Sequence, residues 1–337
     1  MQLSYIWNLS DLSQDKKHIK VFSCFSCGGG STMGYKRAGF DVIGNVELDK
    51  SINSVYVKNH HPKFNFNLDL RDFNKINDLP KELFELDILD GSPPCSSFSM
   101  SGSREKLWGK EKTFREGQKK QVLDDLFFVF LDTVKKLNPK IVIAENVMGL
   151  LKGNAKGYVN EIIKRFHNLG YYVQLFHLDA AYMDVPSKRE RVFFIANRMN
   201  YPQLILNFNN PPIIFGEVRS KVGIPIKKSS KQYRLLQLRT KSDHSIGDIN
   251  KRLYGKCTSF NDSIVSDERI CGTIASNGSY FRMIDGMKFT KDDFVCCQTF
   301  PQDYDFCGRS VQYICGMSVP PNMMAHIALE VYEQWLK

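Results

Sequence analysis

No segment of this chain is long and apolar enough to cross a bilayer: the longest purely apolar run is Leu126 to Leu131, where a span needs about 20 residues. The first residues lack the basic-then-apolar order of a signal peptide, so a cytoplasmic location is expected. Nine cysteines, an odd number without repeated spacing, argue against a disulfide framework. Cys24-x-x-Cys27 finds no second CxxC and no paired histidines, so no metal site is expected. Internal repeats are missing too. What is there is a chain of 337 residues, 42% apolar and 24% charged. That composition is ordinary for a globular protein, and the length suits one large domain or two unequal ones.

The charge is unbalanced, at +10 with a pI near 9.0, which suggests a polyanionic partner. The excess is local. Residues 96–121 hold seven basic side chains against three acidic, and Arg198 to Ile270 hold thirteen against six. Together these two segments exceed the excess of the whole chain, although a solvated surface would read the same way.

Residues 1–18 are polar and irregular. Ile19 to Phe25 then reads as a strand that enters Ser26-Cys27-Gly28-Gly29-Gly30-Ser31 and a helix from Met33. Strand, glycine turn and helix open a nucleotide-binding unit, because glycines let the backbone approach a ligand and a helix N-terminus favours a negative group. An ordinary tight turn has the same composition. The next strand, Phe40 to Val46, ends at Glu47, nineteen positions after Gly28, where an acid can accept hydrogen bonds from ribose hydroxyls. A third strand-like segment ends at Asp69-Leu70, whose carboxylate suits an adenine amino group.

The stretch Asp90-Gly91-Ser92-Pro93-Pro94-Cys95 reads as a loop leaving the apolar run Leu86, Ile88, Leu89, with the prolines stiffening the approach to one cysteine. Cys95 is a candidate nucleophile, against the bland reading of a small buried apolar residue. A helix is expected over Val122 to Lys136, and Pro139 breaks it. Lys140 to Ala144 forms a strand ending in Glu145-Asn146-Val147, on the edge that also presents Cys95. Tyr158 to Leu169 reads as helix and Tyr171 to Leu178 as strand, and Pro186-x-x-Arg189-x-Arg191 leads into the strand Val192 to Ala196. From Asn197 the alternation stops. Residues 200–270, with weak strands at Gln203 to Phe208 and Pro212 to Phe215, read as a separate small domain. Lys291 to Phe300 and Met323 to Leu336 look helical, with Gly316-x-Ser318-Val319-Pro320 before the last helix.

These motifs, in this order, resemble the cytosine-C5 DNA methyltransferase family of bacterial type, from about Lys20 to the C-terminus. The resemblance implies an α/β fold: a Rossmann-like mixed sheet with helices on both faces, as in S-adenosylmethionine-dependent methyltransferases, plus a small target-recognition domain. It places the first part of the catalytic domain at 1–198, target recognition at 199–300 and a returning segment at 301–337. It further implies that Cys95 adds to carbon 6 of a flipped cytosine, and that Glu145 acts as acid and clamp at ring nitrogen 3. Arg191, with Arg189 beside it, would hold the base oxygen and a nearby phosphate. The cofactor, leaving as S-adenosylhomocysteine, would meet Phe25, Gly28, Gly29, Gly30, Glu47, Leu48, Asp69, Leu70, Pro94, Leu126, Ser318 and Val319. Residues 96–121 match the family's mobile loop. Cys27, Leu48, Ser96 and Met317 depart from residues common in the family.

Double-stranded DNA is the expected partner of a monomer, with a restriction endonuclease, if one accompanies it, acting separately. An RNA cytosine-C5 methyltransferase on the same fold is the alternative, and the basic domain of about 90 residues favours DNA. A silent binding module would lack Cys95 or Glu145. An NAD-dependent oxidoreductase gives no role to Cys95 with the two arginines.

Overall fold

Short apolar segments separated by helices build a parallel sheet, because strands covered on both faces must be apolar almost throughout. The structure is a computed structural model describing residues 2–12, 16–94, 111–112, 121–122, 125–151, 156–259 and 261–337. Its contacts divide the chain into two compact units.

The larger unit comprises residues 12–179, 190–207 and 324–337. Its sheet uses β1 (Lys20–Cys24), β2 (Asp41–Val46), β3 (Phe64–Phe66), β4 (Ile88–Gly91), β7 (Ile141–Val147), β8 (Tyr172–Asp179) and β9 (Glu190–Asn197), while β5 (Glu111–Lys112) and β6 (Gln121–Val122) form a separate antiparallel pair. The order is β3-β2-β1-β4-β7-β9-β8, parallel except that β9 runs antiparallel to both neighbours. The chain winds outward from β1 to β3 and then crosses to β4. That reversal leaves a crevice beyond the carboxyl ends of β1 and β4, where open sheets of this kind bind ligands.

Helices cover both faces. On one, α4 (Leu126–Leu137) and α5 (Lys156–Asn168) join Phe22, Leu89, Val142 and Phe194 in an apolar cluster. Phe130 of α4 packs so closely on Gly91 that a Cβ at that glycine would run into its ring. On the other face, Tyr35 of α1 (Gly30–Arg37) reaches Asp90. Between β2 and β3 lies α2 (Lys50–His60), for which the sequence reading provided no element; Asp49 caps it by accepting from Ser51 N at 2.9 Å and Ile52 N at 3.2 Å. A single short turn, α3 (Leu70–Phe73), follows β3.

Several expectations change. Asp90 and Gly91 are the last residues of β4 rather than loop. Helix α4 starts at Leu126, not Val122, because Gln121–Val122 is strand. No strand forms over Gln203 to Phe208: the Leu204 amide and carbonyl bond to the Gln174 side chain and those of Ile205 to Gln334, while the nearby prolines supply no ladder donor.

The smaller unit comprises residues 1–11, 180–189 and 208–323. It contains α6 (Phe215–Val218), α7 (Lys231–Leu236), α8 (Ile246–Tyr254), the parallel pair β10 (Asp262–Val265) and β11 (Ser279–Arg282), α9 (Lys291–Cys297) and α10 (Val311–Met317). Thus Pro212 to Phe215, expected as strand, only leads into α6. Leu235, Leu236, Ile246, Ile249, Ile264 and Phe281 form its core. Arg282 is buried there and paired with Asp285 at 2.7 Å. The first residues belong to this unit because Trp7 Nε1 donates to the Thr299 carbonyl and the Leu3 amide to Asp184. Limits drawn at 198/199 and 300/301 therefore do not coincide with the compact units, whose divisions follow such long-range bonds. The final helix spans Pro321–Val331 and continues as a π-helical turn to Leu336.

Candidate active site

The turn after β1 is built from residues in left-handed conformations: Phe25, Cys27 and Gly29 have φ of 55°, 47° and 80°. Only glycine fits at 29, since a Cβ there would run into Nε2 of His60. Burial keeps the His60 imidazole neutral, lowering its pKa to about 3. Gly28 and Gly30 are buried beside it, and the N-terminus of α1 begins at Gly30.

Glu47, just past β2, accepts from Cys27 N at 2.9 Å and Asp49 N at 2.8 Å, one amide to each oxygen. Burial raises its pKa and those amides oppose the rise. The Leu48 amide also acts on it, and with four lone pairs the carboxylate can still receive a ribose hydroxyl. Leu48 is half-buried next to it. Asp69 caps α3 through Arg71 N at 2.8 Å and pairs with the Arg71 guanidinium at 3.2 Å, which also reaches Asp125 at 2.5 Å. An adenine amino group would share that carboxylate with Arg71. Leu70 and Leu126 lie inside the apolar cluster. The set is one a nucleoside would fit: a glycine turn, an acid beside it and a second acid one strand further out.

Glu145 sits on β7 in register with Phe193 of β9. Its Oε1 is 2.7 Å from Nε of Arg191, with both side chains mostly buried. The neighbouring Asn146 donates its side-chain amide to the Pro93 carbonyl at 3.1 Å, tying the end of β7 to the turn that follows β4. Pro94 is half-buried in that turn. Cys95, Ser96 and most of the segment 96–121 lie outside the described residues.

In the smaller unit, Arg189 is 2% exposed and its Nη1 donates to the Gly316 carbonyl at 3.1 Å. The two arginines that stand side by side in the sequence thus take different partners: Arg191 engages Glu145, whereas Arg189 fastens backbone. Ser318 and Val319 are buried at the end of α10. The Ser318 hydroxyl has no hydrogen-bond partner among the described residues, the state expected of a group completed by a ligand. Asn146 and Asp90 are the functional candidates that motif reading leaves without a role. The signal for Asp90 is an acid interrupting an apolar strand.

A family model for the C-5 cytosine-specific DNA methylase matches residues 19–333. The Type II methyltransferase M.FnuDI of Fusobacterium nucleatum is 35% identical over 193 residues, which cover 57% of this chain and 50% of that protein. The chain therefore spans about half the length of that relative. M.NgoFVII, a Type II methyltransferase of Neisseria gonorrhoeae, is 27% identical over 357 aligned positions, covering 96% of this chain and 89% of its own. Among solved structures, a prophage-encoded DNA modification methyltransferase of E. coli superposes with a TM-score of 0.65 at 20% identity, over 95% of this chain and 100% of that one, a likeness of fold. With a match running almost from end to end, the chain belongs to the C-5 cytosine-specific DNA methylase family.

Proposed function

We propose that this protein transfers a methyl group to carbon 5 of a cytosine in duplex DNA, within a short specific sequence. The observation that carries the reading is the bond from Asn146 to the Pro93 carbonyl, which brings the strand bearing Glu145 against the turn that runs into Cys95. Type II methyltransferases among the relatives support DNA over RNA as the substrate, and bacterial and phage relatives support action in the cytoplasm. As a monomer, the small unit would supply sequence recognition, its basic side chains meeting phosphates and a few others reading bases.

Carbon 5 of cytosine is a weak nucleophile, so the ring must be activated by addition at carbon 6. The Cys95 thiolate is the soft nucleophile for that addition. Glu145 gives a proton to ring nitrogen 3 as electrons arrive there, and Arg191, held on Glu145, orients the carboxyl and reaches the base oxygen. Bound S-adenosylmethionine supplies the methyl group. Phe25, the glycine turn, Glu47 and Asp69 would orient it, with Leu48, Leu70, Pro94 and Leu126 completing the pocket on the larger unit. Loss of the carbon 5 proton to solvent, with return of the nitrogen 3 proton to Glu145, then expels Cys95 as the thiolate. The base must leave the helix first, at a cost of a few kcal/mol.

The test is expression in a bacterial host free of methylation, with 5-methylcytosine mapped at base resolution and Cys95→Ala as control. Methylation at one short motif only with the intact protein is expected. Unmodified DNA, or full methylation by Cys95→Ala, would overturn the reading.

A further inference from the structure

The turn that follows β1 is strained. Phe25 and Cys27, neither of them glycine, stand in the left-handed region on either side of Ser26, with φ of 55° and 47°. Such conformations persist only where the surroundings over-determine them. The backbone supplies part of that restraint. The Ser26 amide donates to the Val46 carbonyl at 3.3 Å and the Gly29 amide to the Ser26 carbonyl at 2.8 Å, while the Cys27 amide goes to Glu47.

Ser26 is also gripped through its side chain. Asn45, the penultimate residue of β2, donates from its amide nitrogen to Ser26 Oγ at 3.0 Å and to Oδ1 of Asn53 on α2, also at 3.0 Å. An asparagine is out of place there. It is fully buried, its residue type is depleted from strands, and its Oδ1 has no hydrogen-bond partner among the described residues. A β-branched apolar residue would suit the strand better, so the local fold gives no reason for the amide.

The face of α2 that bears Asn53 repeats the pattern. Asn53, Tyr56 and His60, at i, i+3 and i+7, share one side of the helix. Asn53 meets Asn45, the Tyr56 hydroxyl lies 2.9 Å from Thr32 Oγ1 of α1, and His60 Nε2 stands 3.4 Å from the Gly28 carbonyl. Two residues of the turn are thus tied by side chains to elements outside it, and the Ser26 tie runs through the Asn45 amide.

We propose that Asn45 is a positioning residue for the methyl donor: by bridging Ser26 to Asn53 it fixes the glycine turn in its binding shape before the ligand arrives. The inference rests on this turn taking S-adenosylmethionine. Asn45 acts through Ser26, and its effect on binding comes from the fraction of molecules in which the turn is already shaped, since apparent affinity scales with that fraction.

Two measurements on the full chain test it. In amide hydrogen exchange without ligand, Asn45→Ala should speed exchange at Cys27 and Gly29 by about tenfold, the effect of one lost hydrogen bond of ordinary strength. A defect in stability alone would be felt by amides that exchange through global unfolding and would leave the locally opening turn at its wild-type rate. In calorimetry, the same variant should raise the Kd for S-adenosylmethionine by roughly threefold to tenfold, as the shaped fraction falls to about a third or a tenth. Methyl transfer at saturating donor should fall by less than about twofold, the mark of lost binding rather than lost chemistry. Ser26→Ala removes the other end of the bond, so the two substitutions together should weaken binding by less than the product of their separate effects. Ser26→Ala alone should show the same faster exchange and weaker binding, and serves if Asn45→Ala does not fold. Turn amides at wild-type rates, an unchanged Kd, or effects that simply multiply would overturn the inference. If the intact chain binds no S-adenosylmethionine, the cofactor reading falls, and exchange at Cys27 and Gly29 still decides whether Asn45 holds the turn. If the donor binds and DNA stays unmodified, only the proposed reaction falls.

Discussion

Replacing Asp90 with asparagine should stabilise the protein, and by an amount that grows with pH. The shape is kept, and the hydroxyls of Ser23 and Tyr35 can donate to the amide oxygen and accept from its nitrogen. What changes is linkage. From 3.8, the ordinary value for aspartate, up to about 7, the folded chain retains a proton that the unfolded chain releases. Stability therefore falls as pH rises through that window, in total by about 4 kcal/mol at about 1.4 kcal/mol per pH unit. His60 acts in the opposite sense. Burial lowers it from 6.5 to about 3, so the unfolded chain takes up a proton the folded chain refuses, and stability rises with pH across that interval. In the wild type these two slopes cancel from about pH 4 to 6.5. In Asp90→Asn the His60 slope stands alone. Urea unfolding at pH 4.5, 6 and 8 should give a stability difference of about 1 kcal/mol at the acid end and about 4 kcal/mol in favour of asparagine at the alkaline end. A difference that stays constant with pH would refute the reasoning.

Gly29→Ala combines a positive φ with a collision against His60; it should cost about 2 kcal/mol or more in urea unfolding and weaken S-adenosylmethionine binding in calorimetry. Asn146→Ala releases the Pro93 carbonyl and should lower single-turnover methyl transfer by up to about a hundredfold, with cofactor affinity unchanged. Asp285→Ala removes the carboxylate partner of the buried Arg282, whose guanidinium also donates to the Ser220 carbonyl, and should destabilise the smaller unit by about 3 kcal/mol in denaturant unfolding.

Most of the sheet is legible in the chain because a strand covered on both faces leaves a largely apolar run, broken only by Ser23 over Val21–Cys24 and unbroken over Ile141–Ala144. Helix α2 carries its signal in Asp49, a capping residue that pattern reading passes over. The strand expected over Gln203 to Phe208 fails for a different reason. Its residues suit an extended chain, but whether that chain joins a ladder depends on partners, and those partners are the side chains of Gln174 and Gln334.

The candidate site divides along the same line. Sequence alone determined the glycine turn, the acids that end β2 and β3, the proline-stiffened approach to Cys95 and the carboxylate on β7, because each depends on residue type at a fixed position along the chain. It also determined the family, through the order of those motifs. Tertiary structure alone decided that Arg191 meets Glu145 while Arg189 bonds to Gly316, that Asn146 holds Pro93, and that Asp90 lies between Ser23 and Tyr35 on the face of Glu145. These contacts join residues from 46 to 127 positions apart, and strand register, which no local pattern encodes, is what brings the side chains of a sheet together.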